Sequence, residues 1–282
     1  MTDDRLAIPD EPGTDEPDGA AGTAVDTTVP HSARIWNYWL GGKDNYAVDR
    51  AAGDQFSQVF PAIVSIARAS RHFLARSIRY LAAEAGVRQF LDVGTGLPTV
   101  ENTHEIAQRV APDARIVYVD NDPLVLAHAR ALLTSTPEGA TAYIDADLRE
   151  SDKIMAEAAK TLDFTQPIAL ILNGILGHIA DTSEARSIVR RLIDALPSGS
   201  YLSLMDGTSV IAGDVAEEAQ HGYNESGALP YVLRTPEEIA SFFDGLQLVE
   251  PGVVSCTRWR PDPTPFGTPA ETDAFNGVGR KP

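Results

Sequence analysis

Beyond residue 86 the chain alternates short apolar runs with longer stretches of helical spacing. Residues 90–93, 115–119, 141–144 and 167–172 read as strands, and 200–205 as a fifth. Between them, residues 100–110, 123–133, 152–160 and 183–196 read as helices. Such alternation argues for an α/β fold, a parallel sheet with helices on both faces. A polar residue stands near the end of each of the first four strands: Asp92, Asp120, Asp147 and Asn173, spaced 28, 27 and 26 residues apart. That spacing is one strand–helix unit, and polar side chains at the carboxyl ends of parallel strands line a ligand crevice. Thr235-Pro236-Glu237-Glu238 marks a helix start, with Thr as cap and Pro in the first turn. Residues 246–250 and 253–257, joined by Pro251-Gly252, read as a closing hairpin.

The segment before the first strand is helical. Ser32 is placed to cap a helix over residues 33–40, which Gly41 ends. A second helix spans about residues 61–85, with Gly86 as its stop. Ile63, Ile66, Ala67, Phe73, Leu74, Ile78 and Leu81 share one face of it, and Arg68, Arg71, His72 and Arg79 fall elsewhere. These helices are expected to pack over the ligand edge of the sheet as a cover. Trp36, Tyr38, Trp39 and Tyr46 either wall an acceptor pocket or belong to the core. Residues 207–232 lack a strand pattern and are expected to form a mobile region over the acceptor site. The division that follows is an acidic tail at 1–30, a helical cover at 31–89, a Rossmann-like core at 90–262 and a C-terminal extension at 263–282.

Charge changes this picture at one end. Residues 1–30 hold eight acids against one Arg, with little to bury, and read as disordered. Residues 31–90 carry a net +4, and the whole chain −17. A strongly acidic body argues against a nucleic-acid partner. No apolar run is long enough to span a membrane, and no leader is seen. Cys256 is the only cysteine, which suits a reducing, cytoplasmic setting and a small core residue. Zinc-ligand spacings, a phosphate-binding P-loop and a G-x-S-x-G elbow are all absent.

The chemistry concentrates in Asp92-Val93-Gly94-Thr95-Gly96. Two glycines at a strand end let the backbone approach a ligand closely. A dinucleotide fingerprint would place a third glycine at position 99, where Thr stands, and Asp92 would repel a pyrophosphate. A carboxylate there suits a cationic ligand without phosphate, such as S-adenosylmethionine, with its ammonium and sulfonium. Asp120 is placed to accept hydrogen bonds from a ribose diol. Its alternative role is helix capping, which Asn121 or Asp122 could also perform. The Gly41-Gly42-Lys43 turn permits close backbone approach to a ligand. His178, beyond the fourth strand, is either a general base or a structural histidine.

Residues 31–46, 90–99 and 118–123 together resemble a narrower group. With its Leu-Gly-Gly-Lys-Asp-Asn and Gly-Thr-Gly-Leu-Pro-Thr signatures, the chain is similar over roughly residues 31–262 to class I S-adenosylmethionine-dependent methyltransferases. It resembles in particular the bacterial S-adenosyl methyltransferase family formerly catalogued as a domain of unknown function. The resemblance implies a Rossmann-like seven-stranded, mostly parallel sheet with an antiparallel last strand. It implies that Asp92, Gly94 and Gly96 border the methionine moiety and that Asp120, with Asn121 beside it, meets the ribose. Asp147 would lie near the adenine amino group, and Asn173 with Gly174 beside the methionine end. Tyr38, Gly41, Gly42 and Lys43 complete the candidate cofactor site. The expected activity is direct methyl transfer to a small-molecule acceptor. The alternatives are a non-catalytic S-adenosylmethionine-binding regulator and a nicotinamide-dependent oxidoreductase.

Overall fold

Along four of the five parallel strands buried residues alternate between two cores, one on either side of one sheet. The computed structural model describes residues 25–98, 101–132, 134–263, 265, 267 and 269–282; most of the proposed acidic tail, and Thr99, lie outside them. In chain order come α1 (Ser32–Trp39), α2 (Ala47–Val59), α3 (Ile63–Ala83), β1 (Gln89–Val93), α4 (Thr103–Val110), β2 (Arg115–Asp120) and α5 (Pro123–Leu132). Then follow β3 (Ala140–Asp145), α6 (Ser151–Ala158), β4 (Ala169–Asn173), α7 (Thr182–Asp194), β5 (Tyr201–Gly207) and α8 (Asp214–Glu225). The chain continues with α9 (Pro236–Ser241), β6 (Gln247–Leu248), β7 (Val254–Ser255) and β8 (Ala274–Arg280).

The sheet runs β3-β2-β1-β4-β5-β8-β6, with β7 also on β8. β1 to β5 are parallel, and β8 is antiparallel to β5. Phe90, Ile116, Ile171 and Met205 face a core shared with α3. Leu91, Val117, Leu170 and Leu204 face one shared with α6 and α7. The expected α/β architecture is therefore present, and α1 and α3, which precede β1 in the chain, form the expected helical layer.

Several local features differ from what the sequence pattern predicts. His31, rather than Ser32, occupies the N-cap of α1. The hairpin of residues 246–257 does not form. β6 pairs with the C-terminal half of β8 and β7 with its N-terminal half, making one interrupted edge strand. Pro251, with no N–H to donate, lies in the interruption. The antiparallel strand is β8 itself, in the segment read as an extension. Its Gly277 and Gly279 weaken a strand signal, yet packing demands them: a Cβ on Gly279 would sit 2.9 Å from the Phe243 ring. α2 was not anticipated, because its buried face holds only Asp49, Ala52, Gly53 and Phe56. Likewise α8 occupies the region expected to be mobile, anchored by Ala216, Ala219 and Tyr223.

Candidate active site

The carboxyl ends of β1, β2, β4 and β5 open into a cavity of about 170 Å³ roofed by α1 and α3. Asp92 forms its floor. Being in register with Phe90, its side chain faces α3 and α4, and it is buried. Thr103, the first residue of α4, donates its hydroxyl to Asp92 Oδ2 at 2.6 Å. Burial pushes the Asp92 carboxyl up to about 6, against the Thr103 hydrogen bond and the positive charge of Arg71. A site that strains to ionise an acid gains by receiving a cation.

The two glycines beside it have different duties. Gly94 has φ +76°, and a Cβ there would lie 2.7 Å from the Ile175 side chain. Only glycine meets both constraints. Gly96 has φ +66° with open space around it, and its N–H donates to Asp120 Oδ2 at 2.9 Å. Asp120 Oδ1 accepts from the Asp122 N–H at 3.0 Å. One carboxylate is thus aimed by two backbone amides, each oxygen keeping a free lone pair. Burial raises its pKa despite those amides. Asn121 is exposed at the rim, with its amide nitrogen 3.4 Å from Asp147 Oδ2. The other Asp147 oxygen accepts from the Arg149 N–H at 2.8 Å. Across the cavity, Asn173 Oδ1 is buried without a hydrogen-bond partner among the described residues. Gly174 (φ +73°) holds its own turn through N–H donation to the Met205 carbonyl at 2.7 Å.

Asp92, Gly94, Gly96, Asp120, Asn121, Asp147, Asn173, Gly174 and His178 therefore converge on one cavity. Tyr38, Gly41, Gly42 and Lys43 do not line it. Tyr38 turns away to donate to Asp54 at 2.7 Å. Gly41, at φ +81°, ends α1. A Cβ on Gly42 would lie 2.4 Å from the Asn37 amide, so this glycine accommodates a neighbour rather than a ligand. Asn37 is the residue that reaches the cavity, its Oδ1 accepting from the Asp44 N–H and the Asn45 amide. Lys43 is exposed.

Two cavity features went unread in the sequence. Arg71 lines the wall beside Asp92, and its Nη2 donates to the Glu101 carbonyl at 3.2 Å. Its spacing from Ala67 and Leu74, four and three residues away, is the signal that it shares the buried face of α3. The second feature is His31, whose Nδ1 lies 3.0 Å from Asp122 Oδ2 and ties the roof to the β2 loop. Burial pushes the Asp122 carboxyl up, but the neighbouring His31 and the Leu124 N–H hold it below its ordinary value. A buried Arg34–Asp49 contact at 3.2 Å secures α1 to α2.

His178 sits in a 3-10 turn (Leu176–His178) after β4. Its Nδ1 lies 2.9 Å from the Pro230 carbonyl, a group that can only accept, so Nδ1 carries the proton and Nε2 a lone pair. Burial lowers its pKa, against the Pro230 hydrogen bond, and so favours the neutral ring. Tyr231 stands edge-on to it at 5.1 Å. The Tyr231 hydroxyl bonds Asp206, which also accepts from Arg234 Nη1 at 2.9 Å.

The chain matches the S-adenosyl methyltransferase family over residues 18–282. A solved structure of a DUF574 family protein from Streptomyces avermitilis is 46% identical, with a TM-score of 0.88, covering 92% of this chain and 100% of that one. A putative methyltransferase from Thermobifida fusca is 40% identical, with a TM-score of 0.83, covering 91% of this chain and 96% of its own. A S-adenosylmethionine-dependent methyltransferase from Anabaena variabilis shares the fold at 14% identity and a TM-score of 0.50, covering 92% of this chain and 99% of its own. No curated protein matches.

Proposed function

The chain belongs to the S-adenosyl methyltransferase family, and from that premise we propose how its residues divide the work. It is an S-adenosylmethionine-dependent methyltransferase. The residues present suit that cofactor: a buried acid, an orphaned amide oxygen and a glycine cradle where a Cβ would collide. Bound there, the cofactor supplies an electrophilic methyl group on a sulfonium, which is itself a good leaving group.

Asp92 pairs with the methionine ammonium and Arg71 with its carboxylate. Asn173 Oδ1 accepts a further hydrogen bond from the ammonium. Asp120 accepts from the ribose hydroxyls with its two free lone pairs, while Gly96 and Asp122 hold it in place. Asp147 and Asn121 meet the adenine edge. The α1 roof excludes water and leaves positioning as a large share of the rate. The acceptor is a small molecule rather than nucleic acid, in keeping with a net charge of −17. Among the described residues no helix is long and apolar enough to cross a membrane. With one buried cysteine, the protein is suited to the reducing cytoplasm.

The observation that carries this reading is Asp92, a buried acid held near neutrality at a glycine-lined strand end. Titration calorimetry tests it. S-adenosylmethionine and S-adenosylhomocysteine should bind and NADH should not; tight NADH binding with no response to either adenosyl ligand would overturn it.

A further inference from the structure

A second cavity of about 60 Å³ adjoins the first, and Trp36, His178 and Met205 border both. Its walls come from α1, α2 and α8 and are strongly aromatic. Trp39 and Phe56 have ring centroids 5.2 Å apart, and Phe56 meets Tyr223 edge-on at 6.1 Å. Phe60 and Tyr231 complete the enclosure. The lining holds no Lys or Arg. Its one carboxylate, Asp273, is occupied by the Ile211 and Ala212 N–H groups at 2.8 and 3.0 Å. A charged ligand would lose its hydration there with no counter-ion. At the junction with the first cavity stands the neutral His178, its Nε2 lone pair unspent on Pro230.

We propose that this second cavity is the acceptor pocket and that its occupant is a neutral, hydroxylated aromatic molecule, a phenol. The proposal rests on the first cavity being the cofactor site. The ring packs among Trp39, Phe56 and Tyr223, and its hydroxyl points past Met205 toward the methionine end. His178 Nε2 takes the hydroxyl proton. The phenolic oxygen forms a bond to the methyl carbon as the carbon–sulfur bond breaks, and that electron pair returns to sulfur. The products are an aryl methyl ether, neutral S-adenosylhomocysteine and a proton carried by His178.

The test uses three probes of like size, p-cresol, benzoate and benzylamine, offered to the full chain saturated with S-adenosylhomocysteine. Saturation-transfer NMR should show the p-cresol ring in contact with the protein, and the two charged probes not. Ala216→Leu, which fills the pocket from α8, should abolish that contact while S-adenosylhomocysteine affinity is kept. Should that variant fail to fold, Phe60→Ala serves instead: it should shift preference from p-cresol to 4-tert-butylphenol. His178→Gln should cut methyl transfer to p-cresol by about 10²-fold or more while p-cresol contact persists. Stronger contact from benzoate or benzylamine, or none from p-cresol on a complex that does hold S-adenosylhomocysteine, would overturn the proposal alone. Failure of S-adenosylhomocysteine to bind the wild type would overturn the cofactor reading and this proposal together.

Discussion

Replacing Asp92 with Asn should make the protein more stable and less able to bind its cofactor. Burial holds this carboxyl at about 6 against an ordinary value of 3.8. Keeping it ionised above that pH therefore costs about 3 kcal/mol in the folded state. An amide has no charge to desolvate, and its oxygen still accepts from Thr103. Its N–H groups need partners, and Arg71 loses a counter-charge, so the net gain is smaller, about 1–2 kcal/mol. For a chain of this size that is on the order of 2–8 °C in melting temperature. The pH dependence identifies the cause. The folded protein takes up the Asp92 proton at a higher pH than the unfolded chain does, so protonation favours folding. The wild type should gain on the variant as pH falls from about 7 toward 4, and the gap should be full above about 7. The cofactor reverses the ranking, because its ammonium selects the ionised acid. S-adenosylhomocysteine affinity should fall about ten- to hundredfold in the variant. In the wild type it should weaken below about pH 6. Thermal melts from pH 4.5 to 8, with calorimetry at the ends, read all of this. An Asn variant that melts below the wild type at pH 7.5, or binds the ligand as tightly, would refute the reasoning.

Asp120→Ala should weaken S-adenosylhomocysteine about ten- to hundredfold in a folded protein, measured by calorimetry. Gly94→Ala should cost at least about 1–2 kcal/mol from the left-handed backbone alone, more with the Ile175 clash, as denaturant melts would show. Amides of α1 should exchange more slowly with S-adenosylhomocysteine bound, since this helix roofs the cavity; equal protection without ligand would make it a permanent core element. Asp122, held below its ordinary value chiefly by His31, should stabilise the wild type relative to Asp122→Asn at neutral pH. That advantage should disappear as pH falls below about 4, through its lowered folded value.

The sequence revealed the sheet and the floor of the site because both follow short-range rules. Strand–helix spacing and a strand–acid–glycine turn are local, and Asp92, Gly94, Gly96, Asp120 and Asn173 stand where those rules put them. The roof was legible only in part. Gly42 was read as an approach to a ligand, whereas it makes room for Asn37, and nothing in the local sequence distinguishes the two. Arg71 was set apart from the apolar face of α3 because of its charge, although its spacing from Ala67 and Leu74 puts it on that face. α2 and α8 bury small residues and single aromatics, too sparse for an apolar period. β8 carries two glycines whose reason, the ring of Phe243, is remote in sequence.

That strand bears on how the molecule assembles. β5 is apolar and central, yet its partner on one side, β8, lies 67 to 79 residues further along the chain. Pairing over such a separation is slow, because the intervening loop must close before any contact rewards it. Until then β5 presents Leu202 and Leu204 beside a row of unpaired amides, an edge on which another copy could dock. The glycines give β8 little intrinsic preference for an extended state, so its capture depends on Phe243 being already in place. Substitutions around Phe243 should therefore first appear as aggregation during synthesis or refolding, while the molecules that do complete the sheet keep an intact site.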